Sequence, residues 1–344
     1  MISKSNYSQE HLENMVKEYG GDKAIFERVL FAFGLLQSLV DVNLDFVFKG
    51  GTCLLLFLDN PRRFSTDIDI MVNADTDIDE FITEAGKLFP FESCVEHHRR
   101  RNNGIEKRHF KFEYTSIISN TPSNIILDVV FEDDDFIDTK LVEIKNSLHI
   151  TEDPPSYVKV PIVDYMIADK LSAFAPNTIG VLYNSGKDLE IIKQMHDVAV
   201  LFDHIEDFEV VKRAYYEYSK IQIKYRRLDI DFQDCLNDTI EACISILSDG
   251  AHYDKSQFYK ELKGGIKKIG THIFGSYSRI KAIPHVSKVL YIASMIRHDL
   301  DLSYIDTIDV EELIPHGTIY ANLNRVKKID SEAFKYIKAS VSLL

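Results

Sequence analysis

The chain has few cysteines, four among 344 residues, and Cys53, Cys94, Cys235 and Cys243 are scattered with no CxxC pair. That spacing excludes a zinc ribbon and gives no sign of a disulfide framework. No apolar run approaches the ~20 residues that cross a bilayer. The opening stretch MISKSNYSQEHLENMVKEYG lacks the apolar centre of a signal peptide. These features lead to the expectation of a cytoplasmic protein with no membrane partner. Excess positive charge is also missing: the net charge is −14, which excludes a broadly basic nucleic-acid coat. Short basic clusters remain, at His97–Arg101, Lys224–Arg227, Lys263–Lys268 and Asn324–Lys328, and such runs ordinarily face water. There are no repeats or low-complexity tracts.

What is present divides into two halves. The first alternates helices and strands. SQEHLENMVKEYG reads as a capped helix stopped at Gly20-Gly21, and DKAIFERVLFAFGLLQSLV as a largely buried one. FVFK is a short strand, TCLLLFLD a short buried helix and DIDIMV an alternating strand. TDIDEFITEAGKLF reads as a surface helix; FESCVEHH, KRHFKFEYTSI and NIILDVVF read as further strands. After YVKVPIVD, helical periodicity takes over. The expected fold is α+β: a mixed sheet flanked by helices over residues 1–160, then a mainly helical domain over residues 161–344 that completes the cleft.

The chemistry concentrates in FKGGTCLLLFLDNPRRFSTDIDIMV. Alternate residues of a strand share a face, so Asp67 and Asp69 are expected to project together. Two carboxylates on a core strand repel each other and lose hydration. A hard divalent cation, Mg²⁺ or Mn²⁺, offsets that cost. Asp128 interrupts the apolar NIILDVVF and is a third candidate ligand. Gly50-Gly51-Thr52 lies between a strand and a helix. Glycines let backbone N–H groups approach a ligand, and the helix start favours a phosphate. Lys49 adjoins that turn, and Arg63 and Ser65 precede the carboxylate pair. All three are placed with Gly50, Gly51 and Thr52 as nucleotide-binding residues. The order strand, Gly-Gly, helix, Asp-x-Asp strand, later Asp strand is specific where each motif alone is weak.

That order resembles the DNA polymerase β-like nucleotidyltransferase superfamily. More narrowly, KGGT…RFSTDIDI resembles the AbiEii/AbiGII toxin family, and the likeness continues in DYMIADKLSAF and KQMHDVAVLF. It implies that Lys170 and Asp197 complete the catalytic set with Asp67 and Asp69. Lys170 would neutralise triphosphate charge, and Asp197 would orient it or act as base. It also implies the toxin half of a toxin–antitoxin pair in abortive infection and phage defence. Such an enzyme would transfer NMP from an NTP to an acceptor hydroxyl, with tRNA or another RNA as acceptor and a separately encoded antitoxin as partner. A protein or small-molecule acceptor such as an antibiotic, and a non-catalytic nucleotide-binding module, are the alternatives. FGSYSR, Phe274–Arg279, imitates the Gly-Ser opening of other nucleotidyltransferases, but no Asp-x-Asp follows it. Asp133, His196 and Arg62 are weaker candidates near these motifs.

Overall fold

The computed structural model describes residues 1–58, 63–97, 107–132, 136–250, 257–273 and 276–344. Arg62, Asp133, most of the His97–Arg101 cluster, Phe274 and Gly275 lie outside the described residues. Two compact units divide the chain. One comprises Met1–Ile162 with Thr271–Gly275, the other Val163–Gly270 with Ser276–Leu344.

The first unit opens with α1 (Gln9–Tyr19), whose N-cap Ser8 accepts from the His11 amide, and which ends at Gly20 with φ 67°. In α2 (Lys23–Asp41), capped by Asp22, nearly every residue from Phe26 to Leu39 is buried. The elements that follow are β1 (Val47–Lys49), α3 (Gly50–Cys53), β2 (Ile68–Val72), α4 (Asp79–Ala85), β3 (Ser93–Glu96), β4 (Lys107–Thr115), β5 (Pro122–Phe131), β6 (Thr139–Glu143) and β7 (Tyr157–Pro161). The strands form one mixed sheet in the order β3-β4-β5-β2-β1-β7-β6. β5 is a central strand, as its apolar run requires. Helix α2 packs on β5 and β2, and its Phe31 stacks on Tyr114 of β4 with ring centroids 3.6 Å apart.

Two local expectations need correction, and one strand went unread. The helix after the glycines is shorter than TCLLLFLD suggests: it starts at Gly50, and Leu54–Leu56 is a 3₁₀ turn. The strand expected over DIDIMV begins at Ile68, which leaves Asp67 just outside it. The edge strand β6 was not read from the sequence, because TKLVE is only half-buried and leaves Leu141 70% exposed. It therefore lacks the alternation that marks a strand against a core.

The second unit is helical among the described residues: α5 (Val163–Ala173), α6 (Asp188–Leu201), α7 (Phe208–Arg226), α8 (Phe232–Leu247), α9 (Gln257–Ile269), α10 (Arg279–Arg297) and α11 (Ser331–Val341), with 3₁₀ segments at Phe202–His204, Leu302–Thr307 and Ala321–Lys328. Helix α10 is buried along most of its length and packs against α6, α8 and α11. No helix among the described residues is long and apolar enough to cross a membrane. Buried carboxylates tie loops to helices here. Asp164 accepts from the amides of Glu206 and Asp207 at 3.0 and 3.1 Å. Asp238 accepts from the amides of Asn177 and Thr178 and from the Thr178 hydroxyl, at 2.7, 2.9 and 2.9 Å.

Burial pushes the Asp238 carboxyl up to about 6, against the opposing pull of those three hydrogen bonds. A carboxyl raised in the folded state binds its proton more tightly there than in the unfolded chain. Its contribution to stability therefore falls as pH rises from about 4 to about 6, by about 3 kcal/mol, and is level above. Replacing Asp238 by Asn should remove that fall. The stability of Asp238→Asn relative to wild type, from urea unfolding, is expected to rise by that amount between pH 4 and pH 7.

Candidate active site

The sheet register assembles the site. Lys49 of β1 lies opposite Asp69 of β2, Asp69 lies beside Asp128 of β5, and Asp128 lies opposite His109 of β4. Registered neighbours share a face, so four side chains form one row: Lys49, Asp69, Asp128, His109. Two carboxylates on adjacent strands, roughly 4.8 Å apart in the backbone, are flanked by a cation on one side and an imidazole on the other. His109 Nδ1 donates to Asp128 Oδ1 at 2.6 Å, in a contact that leaves Asp128 29% exposed.

Asp67 stands apart from this row. It is exposed, and its carboxylate lies 3.4 Å from a guanidinium nitrogen of Arg28 on α2. An ion pair this exposed is worth at most about 1 kcal/mol. Among the described residues, no three His, Cys, Asp or Glu side chains are grouped as a preformed metal cage. Like charges so close repel, and here Asp67 and Asp128 each have a named basic neighbour, Arg28 and His109. The row itself still suits a hard cation: its donors are carboxylate oxygens, and Asp69 and Asp128 present them side by side.

The Gly-Gly turn fits closely around the carboxylates. Gly50 has φ +82°, and a Cβ there would lie 2.7 Å from Asp69 Cγ. A Cβ on Gly51 would meet Arg63 Nη2 at 2.6 Å and Ser65 Oγ at 2.8 Å. Asp69, Arg63 and Ser65 therefore surround the turn where a phosphate was expected. Arg63 is buried, donates to the Phe64 carbonyl at 3.1 Å and pairs by a β-bridge with Ile273, while the Phe64 amide donates to the His272 carbonyl at 2.7 Å. Thr52 departs from the expectation of a hydroxyl offered to a ligand. It is fully buried, and its hydroxyl donates to the Asp67 carbonyl at 2.6 Å. It fixes the turn to the start of β2.

In the second unit, Lys170 Nζ on α5 lies 4.0 Å from Asp197 Oδ2 on α6, and both side chains are buried. His196 Nδ1 is 3.8 Å from Asp197 Oδ1. The His196 ring meets those of His285 and Tyr277 edge-on at 5.0 and 5.9 Å. Lys170 is thus enclosed with an acid and does not extend into solvent as a helix lysine usually does.

Residues 34–274 match the profile of a family described as nucleotidyl transferase AbiEii toxin, type IV toxin–antitoxin system. The chain belongs to the AbiEii nucleotidyl transferase toxin family. Its activity class is nucleotidyl transfer, with a nucleoside triphosphate as substrate and an antitoxin as partner. Comparison with curated proteins returns no significant match. Among solved structures, JHP933 from Helicobacter pylori is 13% identical, with TM-score 0.47, covering 83% of this chain and 99% of its own. An antigenic nucleotidyltransferase-like protein from Paracoccidioides brasiliensis is 16% identical, with TM-score 0.37, covering 58% of this chain and 91% of its own. Likeness at that level says nothing of this chain's chemistry. The AbiEii match spans every residue of the row and both Lys170 and Asp197.

Sequence reading missed His109 and Arg28. His109 sits on an alternating strand in KRHFKFEYT with nothing to mark it, and only the β4–β5 register makes it a partner of Asp128. Arg28 is separated from Asp67 by a strand and a helix, and no local pattern links them.

Substitutions at the turn should separate two effects. In Gly50→Ala the side chain collides with the Asp69 carboxylate at a left-handed φ, which costs about 1–2 kcal/mol for the φ alone. Gly51→Ala meets only the ends of two side chains. Chemical denaturation should show Gly50→Ala destabilised by at least that amount and Gly51→Ala by less.

Proposed function

We propose that this AbiEii-family protein transfers a nucleoside monophosphate from an NTP to a hydroxyl of RNA, with tRNA as a candidate acceptor, in a Mg²⁺- or Mn²⁺-dependent reaction. The observation that carries the reading is the row Lys49–Asp69–Asp128–His109, set in register across four strands beside a Gly-Gly turn. Asp69 and Asp128, joined by Asp67, would hold the metal. A divalent cation bound there supplies Lewis-acid polarisation of the phosphate and neutralises its charge.

The chain's own residues do the rest. Backbone amides of Gly50 and Gly51, with Lys49, Arg63 and Ser65 around them, hold the phosphates. His109 holds one oxygen of Asp128 and so fixes the orientation of that carboxylate. Thr52 anchors the turn that carries both glycines. Lys170 neutralises triphosphate charge, and the burial of Asp197 beside it favours an orienting role for that carboxylate over a base exposed to the acceptor. The acceptor hydroxyl gives its proton to water, its oxygen bonds to the α-phosphorus, the bond to the β-phosphate breaks, and pyrophosphate leaves. Catalysis is then largely positional and electrostatic. The toxin's role in abortive infection follows from the same reading: modified RNA arrests the host.

The experiment incubates purified wild type and Asp69→Asn with Mg²⁺, the four α-labelled NTPs and total bacterial RNA. Wild type should label an RNA band, and Asp69→Asn should label it at least about 100-fold more slowly, the size of effect seen when one transition-state charge partner is removed. Its melting temperature should not fall, because the change relieves repulsion. Full activity in Asp69→Asn would contradict the assignment of the site.

A further inference from the structure

Against a net charge of −14, one side of α7 is basic. Arg213, Tyr216, Lys220 and Lys224 recur at helical spacing, Arg227 caps the helix, and all five are exposed. They span roughly 21 Å at a rise of about 1.5 Å per residue. The opposite side is apolar and buried, with Val211, Ala214, Tyr215 and Tyr218 inside the unit, and α7 packs on α5.

Within the helix, acids do little to offset this charge, and Asp229, Asp231 and Asp234 follow only after its end. Between Arg213 and Arg227 the single carboxylate is Glu217, which lies 3.9 Å from Lys220 with both side chains largely in solvent. Glu209 is held by Lys212 at 2.7 Å. Arg226 turns inward and donates to the Gly180 carbonyl at 2.9 Å. Among the described residues, Arg213, Lys224 and Arg227 make no side-chain hydrogen bond or ion pair. The helix macrodipole explains cations in the last turn, Lys224 and Arg227, but not Arg213, more than three turns away.

The aromatic in the middle indicates the kind of polyanion. Tyr216 is 45% exposed. Phe232 braces its ring edge-on at 5.5 Å, and Lys220 Nζ lies 5.8 Å from its centroid. An aromatic held in place among cations and open to water is a stacking platform for an unpaired base, whereas an acidic peptide needs only the charges.

We propose that the exposed side of α7 is a docking surface for RNA. Arg213, Lys220, Lys224 and Arg227 bind backbone phosphates, and Tyr216 stacks on an unpaired base. The inference rests on the reading of RNA as acceptor and adds where the second unit grips it.

Binding of a fluorescein-labelled, unstructured ~20-nucleotide RNA to the full chain, followed by anisotropy from about 50 to about 200 mM salt, tests this. Removing two phosphate contacts in Lys220→Gln/Lys224→Gln should reduce the slope of log affinity against log salt by about 1.4. Tyr216→Ala should weaken binding about tenfold with the slope unchanged. Wild-type affinity in all variants would overturn the surface and leave the RNA acceptor standing if wild type still labels RNA. A wild type that binds no RNA yet transfers nucleotide to another acceptor would overturn both. Displacement of the RNA by poly-glutamate of equal charge would overturn it in favour of an acidic protein partner.

Discussion

The structure turns on placing Asp69 beside Asp128. Neighbouring strands bring two carboxylates onto one face of the sheet, where burial and mutual repulsion both work against them. The surrounding residues answer that cost. Lys49 and His109 stand at the two ends of the row, and the first residue of α3, Gly50, must be glycine, because any side chain there would strike the Asp69 carboxylate. A cation has the most to gain at such a site. On the proposed reading, the repulsion between two adjacent anions is what would favour a metal there, and through it a triphosphate.

The supports of the row are indirect. Thr52 spends its hydroxyl on the Asp67 carbonyl, so the Gly-Gly turn and the start of β2 move as one piece. Arg63 reaches the turn from a loop that is itself pinned by the His272–Ile273 segment, returning from far along the chain. In the second unit, Asp197 lies 4.0 Å from Lys170 with both side chains buried. Breaking such a pair by removing one partner is expensive, on the order of 3–5 kcal/mol, which makes its position dependable.

Much of this was legible in the sequence. The strand and helix order of the first half, the helical second half, the Gly-Gly turn and the choice of Asp69 and Asp128 as candidate ligands all follow from local patterns. Asp69 and Asp128 were readable because each breaks an apolar run. What was not readable depends on register and on long-range contacts. The sequence placed Asp67 in the strand beside Asp69, but the strand starts one residue later and Arg28 holds the side chain. His109 becomes meaningful only when β4 is laid against β5. The basic side of α7 was visible as the KYRR cluster, yet without its exposed continuation through Lys220, Tyr216 and Arg213 it read as an ordinary solvated patch.

The central claim is that the carboxylate row is a metal centre tied to nucleotide binding. Titration of the full chain with Mn²⁺, read from the loss of the free-ion EPR signal with and without a non-hydrolysable NTP analogue, tests it most directly. The account predicts Mn²⁺ binding that tightens when the analogue is present, and loses most of that tightening in Asp128→Asn. Equal Mn²⁺ binding by wild type and Asp128→Asn, indifferent to the analogue, would contradict it.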